Sequence, residues 1–446
     1  MKIVIIGAGE VGYYLAKRLI SEDHEVIIIE SEPDRYRRAS ETLDAIVIPG
    51  SGSSIERLRY AEVHNADILL AVSGSDEVNI IACMIAKKLG VKKCVARVRN
   101  DEYSRQGASL SPEAFGIDLM IHPEQTAARE IVRLVERSSA SKVIDFENGR
   151  LLIMGISVKP DSPFVDRSVQ EIGNAYPQPA FICLCIYRDE QTIIPHGSNY
   201  FRSGDVIYLI AKKEDMSKVA QIVGYNEKEQ QDVMILGAGQ VGSRVAAALS
   251  GEMNVKLIED NREIAESIAE EIRDILILNG DGTDVDFLIS ERISDMDCFV
   301  AVTGNEKTNL LSGLLALYLG VKRVIIHLTT NEYIPVINKI GIDAVVSKNI
   351  ATINAIMKYI RRGHIIAVSL FEEIDAEAIE MVAKEDSQIT NKSIRESKLP
   401  ADLIIGAIIR GQNIIIPRGE TKVEANDKVV IFVRPSSIPK VEKFFN

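Results

Sequence analysis

The feature that most constrains this chain is a glycine-rich hexapeptide that occurs twice, 230 residues apart. Gly7-Ala8-Gly9-Glu10-Val11-Gly12 and Gly237-Ala238-Gly239-Gln240-Val241-Gly242 each follow a short apolar segment and precede apolar residues at helical spacing. Two further matches keep this spacing, since residues 50–53 match 280–283 and residues 71–74 match 301–304. The chain of 446 residues therefore contains two copies of one unit.

Each hexapeptide has the context of strand, turn and helix that a dinucleotide-binding loop requires. In the first copy, the strand-like run from Lys2 to Ile6 leads into the loop, and a helical pattern follows it. Gly7 permits the tight turn, Gly9 lets the backbone approach a pyrophosphate, and Gly12 allows close packing of helix on strand. The N-terminus of the helix adds N–H groups and a partial positive charge. We predict nucleotide binding by both copies, with a glycine turn that binds nothing as the alternative.

A carboxylate ends the second predicted strand of each copy, at Glu30 and at Glu259. Such a carboxylate accepts hydrogen bonds from ribose hydroxyls and repels a 2′-phosphate. NAD, ATP or ADP is therefore favoured over NADP. The argument against NADP is weakened slightly by a basic run after the first carboxylate: Arg35, Arg37 and Arg38. Such a run more often forms a solvated helix face.

Strand-like segments alternate with helical segments in both copies. They cover residues 2–6, 26–30, 45–49, 67–72, 93–98 and 117–121 in the first copy, and residues 233–236, 255–259, 275–279, 297–302, 322–327 and 342–346 in the second. Six strands separated by helices predict an α/β fold with a doubly wound, Rossmann-like sheet in each copy. The large sheet gives room for a dinucleotide.

A shorter, strand-rich region broken by Gly and Pro follows each predicted sheet, and we expect it to form a small α+β domain. These regions match one another, for example Pro195-His196-Gly197 with Pro417-Arg418-Gly419. The predicted order is N–C–N–C, with domains at residues 1–137, 142–225, 231–361 and 365–446. An apolar helical stripe follows the sixth strand of each large domain, and it packs either on its own domain or on a neighbouring unit.

The formal net charge of −12 argues against a nucleic-acid partner, whose phosphates an acidic surface repels. No uninterrupted apolar run reaches the roughly 20 residues that span a bilayer. Met1-Lys2 leads directly into the first strand without a signal peptide, so we expect an intracellular protein.

The cysteines and histidines predict no metal site. Five cysteines in a long chain indicate reduced thiols rather than a disulfide framework. Cys183 and Cys185 could form a metal-binding pair, but alternate residues of a strand share one face, so small core side chains are favoured. The histidines show no ligand spacing: His24, His64, His122, His196, His327 and His364.

The domain order, the two GAGxVG loops and the segment from Ala71 to Asn79 followed by Ala96-Arg97-Val98-Arg99 resemble the TrkA family over essentially the whole chain. That family comprises cytosolic nucleotide-binding subunits of bacterial Trk potassium uptake systems, built from tandem RCK domains. The resemblance implies a cytoplasmic regulatory subunit that gates a potassium channel and binds NAD or NADH, with ATP or ADP possible at the first site. It also implies a homo-oligomeric ring, peripheral to the inner face of the cell membrane and attached only through the channel subunit TrkH.

Carried over residue by residue, the resemblance assigns the pyrophosphate loop to residues 7–11, the ribose ligand to Glu30 and a place near the adenine to Ser51. Ser73 and Gly74 end the fourth strand, at the edge of the sheet where ligands bind. Arg97 ends the fifth strand, where it can hold phosphate oxygens bidentately, unless it forms a surface ion pair.

In the second copy, Glu259, Asp281, Thr303 and Gly304 take the corresponding places beside the loop at residues 237–242. There His327 and Thr329 replace two cations, Arg97 and Arg99. We therefore expect weaker binding of a triphosphate in the second copy than in the first.

Two other functions fit the same fold. An NAD-dependent oxidoreductase would need a substrate domain with a general acid or base beside the nicotinamide, and the small domains show no motif of that kind. A nucleotide sensor with a partner other than a channel would share every sequence feature above. Turnover assays address the first alternative and copurification with a channel subunit addresses the second.

Overall fold

The structure is a computed structural model that describes residues 1–103, 111–137, 140–225, 231–330, 333, 337, 340–360, 365–370, 374–385, 387–390, 392–397 and 399–445. His364 and the predicted boundary residues Arg361 and Asn446 lie outside the described residues. The chain divides into two compact units, one with residues 1–127 and 348–360, the other with residues 128–347 and 361–446.

The first large sheet is parallel and has six strands. They are β1 (Lys2–Ile6), β2 (Glu25–Glu30), β3 (Ile46–Pro49), β4 (Ile68–Ala71), β5 (Lys93–Arg97) and β6 (Leu119–Ile121). The helices between them are α1 (Glu10–Ser21), α2 (Pro33–Thr42), α3 (Ile55–Tyr60) and α4 (Asp76–Leu89). The strand order β3-β2-β1-β4-β5-β6 reverses direction between β1 and β4, so a crevice opens at the carboxyl ends of these two strands.

The second large sheet repeats this topology. Its strands are β12 (Asp232–Leu236), β13 (Asn254–Glu259), β14 (Leu276–Asn279), β15 (Cys298–Ala301), β16 (Val324–His327) and β17 (Ala344–Val346), in the order β14-β13-β12-β15-β16-β17. Its helices are α8 (Gln240–Leu249), α9 (Arg262–Glu271), α10 (Val285–Ser290) and α11 (Glu306–Tyr318). Both sheets confirm the doubly wound fold predicted from the sequence.

Each large sheet is followed by a small antiparallel sheet of five strands. The first contains β7 (Lys142–Phe146), β8 (Leu151–Ser157), β9 (Phe181–Arg188), β10 (Gln191–Ile193) and β11 (Val206–Lys212), with α6 (Val169–Ala175) and α7 (Met216–Val223). The second contains β18 (Ile365–Leu370), β19 (Glu377–Val382), β20 (Leu403–Arg410), β21 (Asn413–Ile415) and β22 (Lys428–Val433), followed by helix α13 (Ile438–Phe445). The predicted N–C–N–C order is confirmed.

The two small domains share structural devices that reflect their sequence match. A buried aspartate pairs with an arginine in each, with Arg188 Nε 2.7 Å from Asp205 and Arg410 Nη2 2.8 Å from Asp427. One hydrophobic cluster contains residues of both small sheets, among them Leu184 and Phe432. The two small domains therefore share part of their core.

The helices that follow the sixth strands are α5 (Pro123–Glu136) and α12 (Lys348–Ile360). Helix α12 packs against α1 and β6 of the first sheet, with Ile356 and Met357 fully buried. Near the end of α5, the carbonyl of Leu134 accepts a hydrogen bond from Arg323 of the second large domain at 3.0 Å. For α12, the structure therefore has the arrangement in which the helix packs on a neighbouring domain, one of the two that the sequence left open.

No helix within the described ranges is both long enough and apolar enough to cross a membrane.

Candidate functional site

The first glycine loop has the geometry that each glycine position demands. Gly7 has a φ of +95°, and a Cβ there would lie 2.8 Å from Cα of Ser73. A Cβ on Gly12 would lie 1.8 Å from the carbonyl oxygen of Gly7, so the helix packs too closely for any side chain. The nearest group to a Cβ on Gly9 is Nη1 of Arg35, at 3.7 Å. Gly9 therefore leaves its side of the loop open to a ligand.

The carboxylate of Glu30 is tied to this loop. It accepts hydrogen bonds from the backbone N–H of Ala8 and, at 2.7 Å, from that of Glu32. The residue is buried, with 4% of its surface exposed. The hydroxyl of Ser31 is a third donor, at 3.4 Å. Since a carboxylate has about four acceptor positions, these donors leave capacity for a ribose hydroxyl.

A cavity of about 370 Å³ lies at the carboxyl edge of the first sheet. This volume falls within the range of small-molecule sites. Most of the residues that the sequence assigned to the first site line it: Gly7, Gly9, Glu10, Val11, Glu30, Ser51, Ser73, Gly74 and Arg97. Ala8 and Gly12 are both buried and are not among the described lining residues.

The ends of β4 and β5 are joined by Asn79, which is fully buried. Its side-chain oxygen accepts hydrogen bonds from the backbone N–H and the hydroxyl of Ser73, at 2.9 and 2.8 Å. Its amide group donates to the carbonyl of Arg97 at 2.8 Å. Asn79 thus fixes the two strand ends that carry predicted ligand contacts.

Arg97 presents a partly buried cation to the cavity. Burial lowers the pKa of Arg97, and the nearby carboxylate of Glu124 opposes this shift. Nε of Arg97 has no hydrogen-bond partner among the described residues. A guanidinium that is desolvated without full pairing favours an anionic ligand.

Arg99 has a different place from Arg97. Its guanidinium donates to the carbonyl of Gly74 at 2.6 Å and approaches Asp76 at 3.4 Å, and its backbone N–H donates to Asp76 at 2.9 Å. It is not among the described residues that line the cavity. Arg99 therefore acts on the shape of the loop around Gly74.

The second copy reproduces the core of this arrangement. Glu259 accepts hydrogen bonds from the N–H of Ala238 at 2.7 Å and of Asn261 at 3.1 Å. Asn309 accepts from the backbone and the hydroxyl of Thr303 and donates to the carbonyl of His327 at 2.9 Å. The strand ends of the second sheet are therefore fixed in the same way as those of the first.

The glycines of the second loop also repeat the first. Gly237 has a φ of +102°, and a Cβ on Gly242 would lie 1.8 Å from the carbonyl of Gly237. Within the described part of the chain, no atom lies within 4 Å of a Cβ built on Gly239 or on Gly304. Asp281 accepts hydrogen bonds from the N–H and the hydroxyl of Thr283, and these hold the pKa of Asp281 below its ordinary value.

The two copies differ in the cations that they offer. His327 is buried, with 5% of its surface exposed, where Arg97 lines the first cavity. In place of Arg99, Thr329 donates its N–H and hydroxyl to Glu306. At the third residue of α9, Ile264 takes the place that Arg35 has in α2.

Several residues at the first site were not assigned from the sequence, among them Asn79, Arg35 and Asn349. Asn79 could have been found, because it lies six residues after Ser73, as Asn309 does after Thr303. Arg35 belongs to a run that suggested a solvated helix face, yet it lines the cavity. Asn349 also lines the cavity, and it lies on α12, far from the other lining residues in the sequence.

The described part of the chain contains no cluster of three or more His, Cys, Asp or Glu side chains arranged to hold a metal ion. Cys183 and Cys185 are buried in β9, and burial raises the pKa of the Cys185 thiol to about 12. Both side chains are therefore part of the core of the small domain.

Comparison with known proteins matches both kinds of domain twice. The TrkA-N domain family matches residues 3–123 and 233–348, and the TrkA-C domain family matches residues 153–224 and 378–446. The chain belongs to the TrkA family. One relative, Trk system potassium uptake protein TrkA homolog 1 of Methanosarcina mazei, is 38% identical over 454 residues, with 100% of both proteins covered. The TrkA family resemblance inferred from the sequence is confirmed.

Solved structures share the fold of this TrkA family member. The crystal structure of the GsuK RCK domain has a TM-score of 0.61 at 17% identity and covers 100% of this chain and 94% of that one. The GsuK channel bound to NAD has a TM-score of 0.60 at 17% identity and covers 100% of this chain and 78% of that one. At this identity the likeness shows the fold alone.

Proposed function

We propose that this chain is a nucleotide-binding regulatory subunit that gates a membrane potassium uptake channel. The observation that carries the proposal is the first cavity, where a glycine loop, a ribose acceptor and a partly buried guanidinium line one space. Membership of the TrkA family supports the link to potassium, because the relatives are named as proteins of Trk potassium uptake systems.

The ligand is NAD or NADH, with ATP or ADP as further ligands of the first site. Glu30 supplies the ribose acceptor, the glycine loop supplies N–H groups for the pyrophosphate, and Arg97 faces whatever group extends beyond it. NAD bound to the GsuK channel, which has the same fold, supports this assignment. The second copy offers Glu259 and its own glycine loop, but it has His327 at the position of Arg97.

The role of the nucleotide is to shift a conformational equilibrium, without chemical change. A ligand that binds one conformation more tightly than another shifts their populations by its difference in affinity. Coupling of this kind typically reaches about 1–3 kcal/mol per site, so several sites acting together can switch a gate. A non-enzymatic regulator fits the family and the binding geometry.

The partner is a TrkH-like channel subunit, and the chain lies in the cytoplasm against the inner face of the membrane. Its net charge of −12 disfavours direct attachment to anionic lipid, so the channel subunit provides the attachment.

A homo-oligomeric ring would bring the nucleotide sites of several copies of this chain into one assembly. Helix α4 exposes Ile81 and Met84, each at 43%, and the matching helix α11 exposes Leu311 at 50%. Exposed apolar side chains at matching positions of two repeated domains are suited to subunit contacts. We propose that these helices contribute to the ring.

Potassium flux through a reconstituted TrkH-like channel, with and without this protein, tests the function. Flux should depend on the protein and should change when NAD, NADH, ATP or ADP is added. A flux that ignores both the protein and every nucleotide would exclude gating.

A further inference from the structure

One residue of the first cavity comes from the far end of the second large domain. Asn349, the second residue of α12, lines the space that the glycine loop, Ser73 and Arg97 also line. Among the residues that the structure describes, the others that line this cavity all lie between residues 6 and 97. The cavity wall is therefore completed by a helix that joins the second large domain to the second small domain.

Helix α12 is held in place by contacts that do not involve the cavity. Ile356 and Met357 are fully buried where the helix packs on the first sheet. At the two ends, Lys348 Nζ lies 3.7 Å from Glu124, and Lys93 Nζ lies 5.6 Å from the ring centre of Tyr359. Asn349 is thus presented to the cavity by a docked helix, and it is not one of the residues that make the apolar, ionic and cation–π contacts named above.

The order of the strands indicates which part of a nucleotide Asn349 faces. Glu30 ends β2, the loop follows β1, Ser73 follows β4, and Arg97 ends β5, in that sequence across the sheet. Because the ribose acceptor is at β2 and the pyrophosphate lies over the loop, the remainder of the ligand extends toward β4 and β5. Helix α12 contacts α1, which begins directly after the glycine loop, and β6, which lies beyond β5 on that same side. Asn349 therefore lies on the side of the group beyond the second phosphate.

We propose that Asn349 is a specificity-determining residue that hydrogen-bonds the polar group beyond the second phosphate of a nucleotide in the first site. This inference rests on the proposed nucleotide-binding function. The group is the third phosphate of ATP or the distal ribose of NAD. ADP ends at its second phosphate and has neither group. A ligand that makes this contact binds only when α12 is docked, so it stabilises the docked helix by linkage.

The test uses the full-length chain with Asn349→Ala, and Asn354→Ala on the same helix as the matched control, because Asn354 is not among the described residues that line the cavity. Calorimetry should show that the first site of Asn349→Ala binds ATP and NAD at least about fivefold more weakly than the wild type does. The affinity for ADP should be unchanged. The control should bind all three ligands as the wild type does. Gly239→Asp in every protein removes the signal of the second site.

Asn349→Asp distinguishes the two distal groups. Its carboxylate is well tolerated near a helix N-terminus, so the fold should persist. It should weaken ATP binding more than NAD binding, since only ATP places a further phosphate there. Equal losses for ADP, ATP and NAD would overturn the assignment of Asn349 to the distal group.

Amide hydrogen exchange gives an independent measurement of docking. ATP or NAD should slow exchange in residues 350–360 of the wild type, and ADP or the Asn349→Ala variant should show little slowing. If nucleotides bind but neither affinity nor exchange responds to Asn349→Ala, this inference is wrong while the proposed function stands. If no nucleotide binds the wild type, the proposed function itself fails.

Discussion

The side-chain amide of Asn79 donates a hydrogen bond to the carbonyl oxygen of Arg97 at 2.8 Å, and so ties the helix that follows β4 to the end of β5. Asn309 makes the same bond to His327 at 2.9 Å. The repetition of this buried bond in both copies means that each large domain depends on one asparagine to set its ligand edge.

We expect Asn79→Ala to destabilise the first large domain by about 1–3 kcal/mol. The variant leaves the N–H of Ser73 and the carbonyl of Arg97, both in part-buried hydrogen bonds, without their partner. Urea denaturation should show the loss, with Asn309→Ala as the matched variant in the second copy. An unchanged denaturation midpoint for both variants would contradict the structural role of these residues.

Gly9→Asp should abolish nucleotide binding at the first site while the domain stays folded. Among the described residues, a Cβ at Gly9 comes within 4 Å only of Nη1 of Arg35, at 3.7 Å, whereas the added charge would repel the pyrophosphate. Calorimetry with NAD, ATP and ADP measures the binding, and Gly239→Asp is the matched change in the second copy. Gly12→Ala is the structural contrast, since its Cβ would lie 1.8 Å from a backbone oxygen and should destabilise the domain. Unchanged affinity in Gly9→Asp would refute the site assignment.

Arg97→His should bring the ATP affinity of the first site close to that of the second, which has His327 at this position. A hydrogen bond to a charged group contributes about 1.5–3 kcal/mol, so a loss of roughly 10-fold or more is expected. The measurement uses full-length protein with Gly239→Asp, compared with the same background carrying Arg97. If the substitution leaves ATP affinity as it was, Arg97 does not bind phosphate.

Arg35→Ile introduces the residue that the second copy has at this position, Ile264, and should also weaken ligand binding at the first site. Arg35 lines the cavity beside the open face of Gly9, where its charge can reach the pyrophosphate. Arg37→Ile is the control, because its side chain is 67% exposed and near Asp34. Equal affinities of the two variants would place Arg35 among solvated surface residues.

Glu306→Gln should destabilise the second large domain most at neutral pH. Burial alone would raise the pKa of Glu306, but hydrogen bonds from Thr329 and Thr330 outweigh it and hold that pKa below its ordinary value of 4.5. For a lowered carboxyl pKa, the stabilisation is complete above the ordinary value and is lost as the pH falls through the folded value. The difference in unfolding free energy between wild type and variant should therefore shrink below about pH 4.5. Glu266→Gln, at an exposed site, is the control, and a difference that does not change with pH would contradict this account.

Local patterns were sufficient to predict the large sheets. Continuous apolar runs next to glycine loops identify buried parallel strands, and the repeat at 230 residues supports each assignment twice. The small sheets were predicted only as strand-rich regions broken by Gly and Pro, and the sequence does not show which strands lie at their edges, here β7 and β10.

The position of α12 could not be predicted from the sequence. Its apolar stripe fits equally well against its own domain or another, and only the packed structure shows that Ile356 and Met357 are buried on the first sheet. Asn349 was missed for the same reason. The apolar pattern of a helix shows which face it buries. It does not show which surface covers that face, and here the covering surface lies more than 200 residues earlier in the chain.

The packing of α12 on the first sheet has a consequence for any attempt to divide the chain. A fragment that ends at residue 225 lacks α12 and would expose the apolar surface that this helix covers, whereas the remaining fragment would carry α12 without its binding surface. Separately produced halves should therefore be poorly soluble alone and should recover when mixed, as a split protein that reassembles through an exchanged helix. If the halves behave in this way, each copy of the repeat supplies a surface that the other needs in order to fold, and a change in one half will be felt in the stability of both.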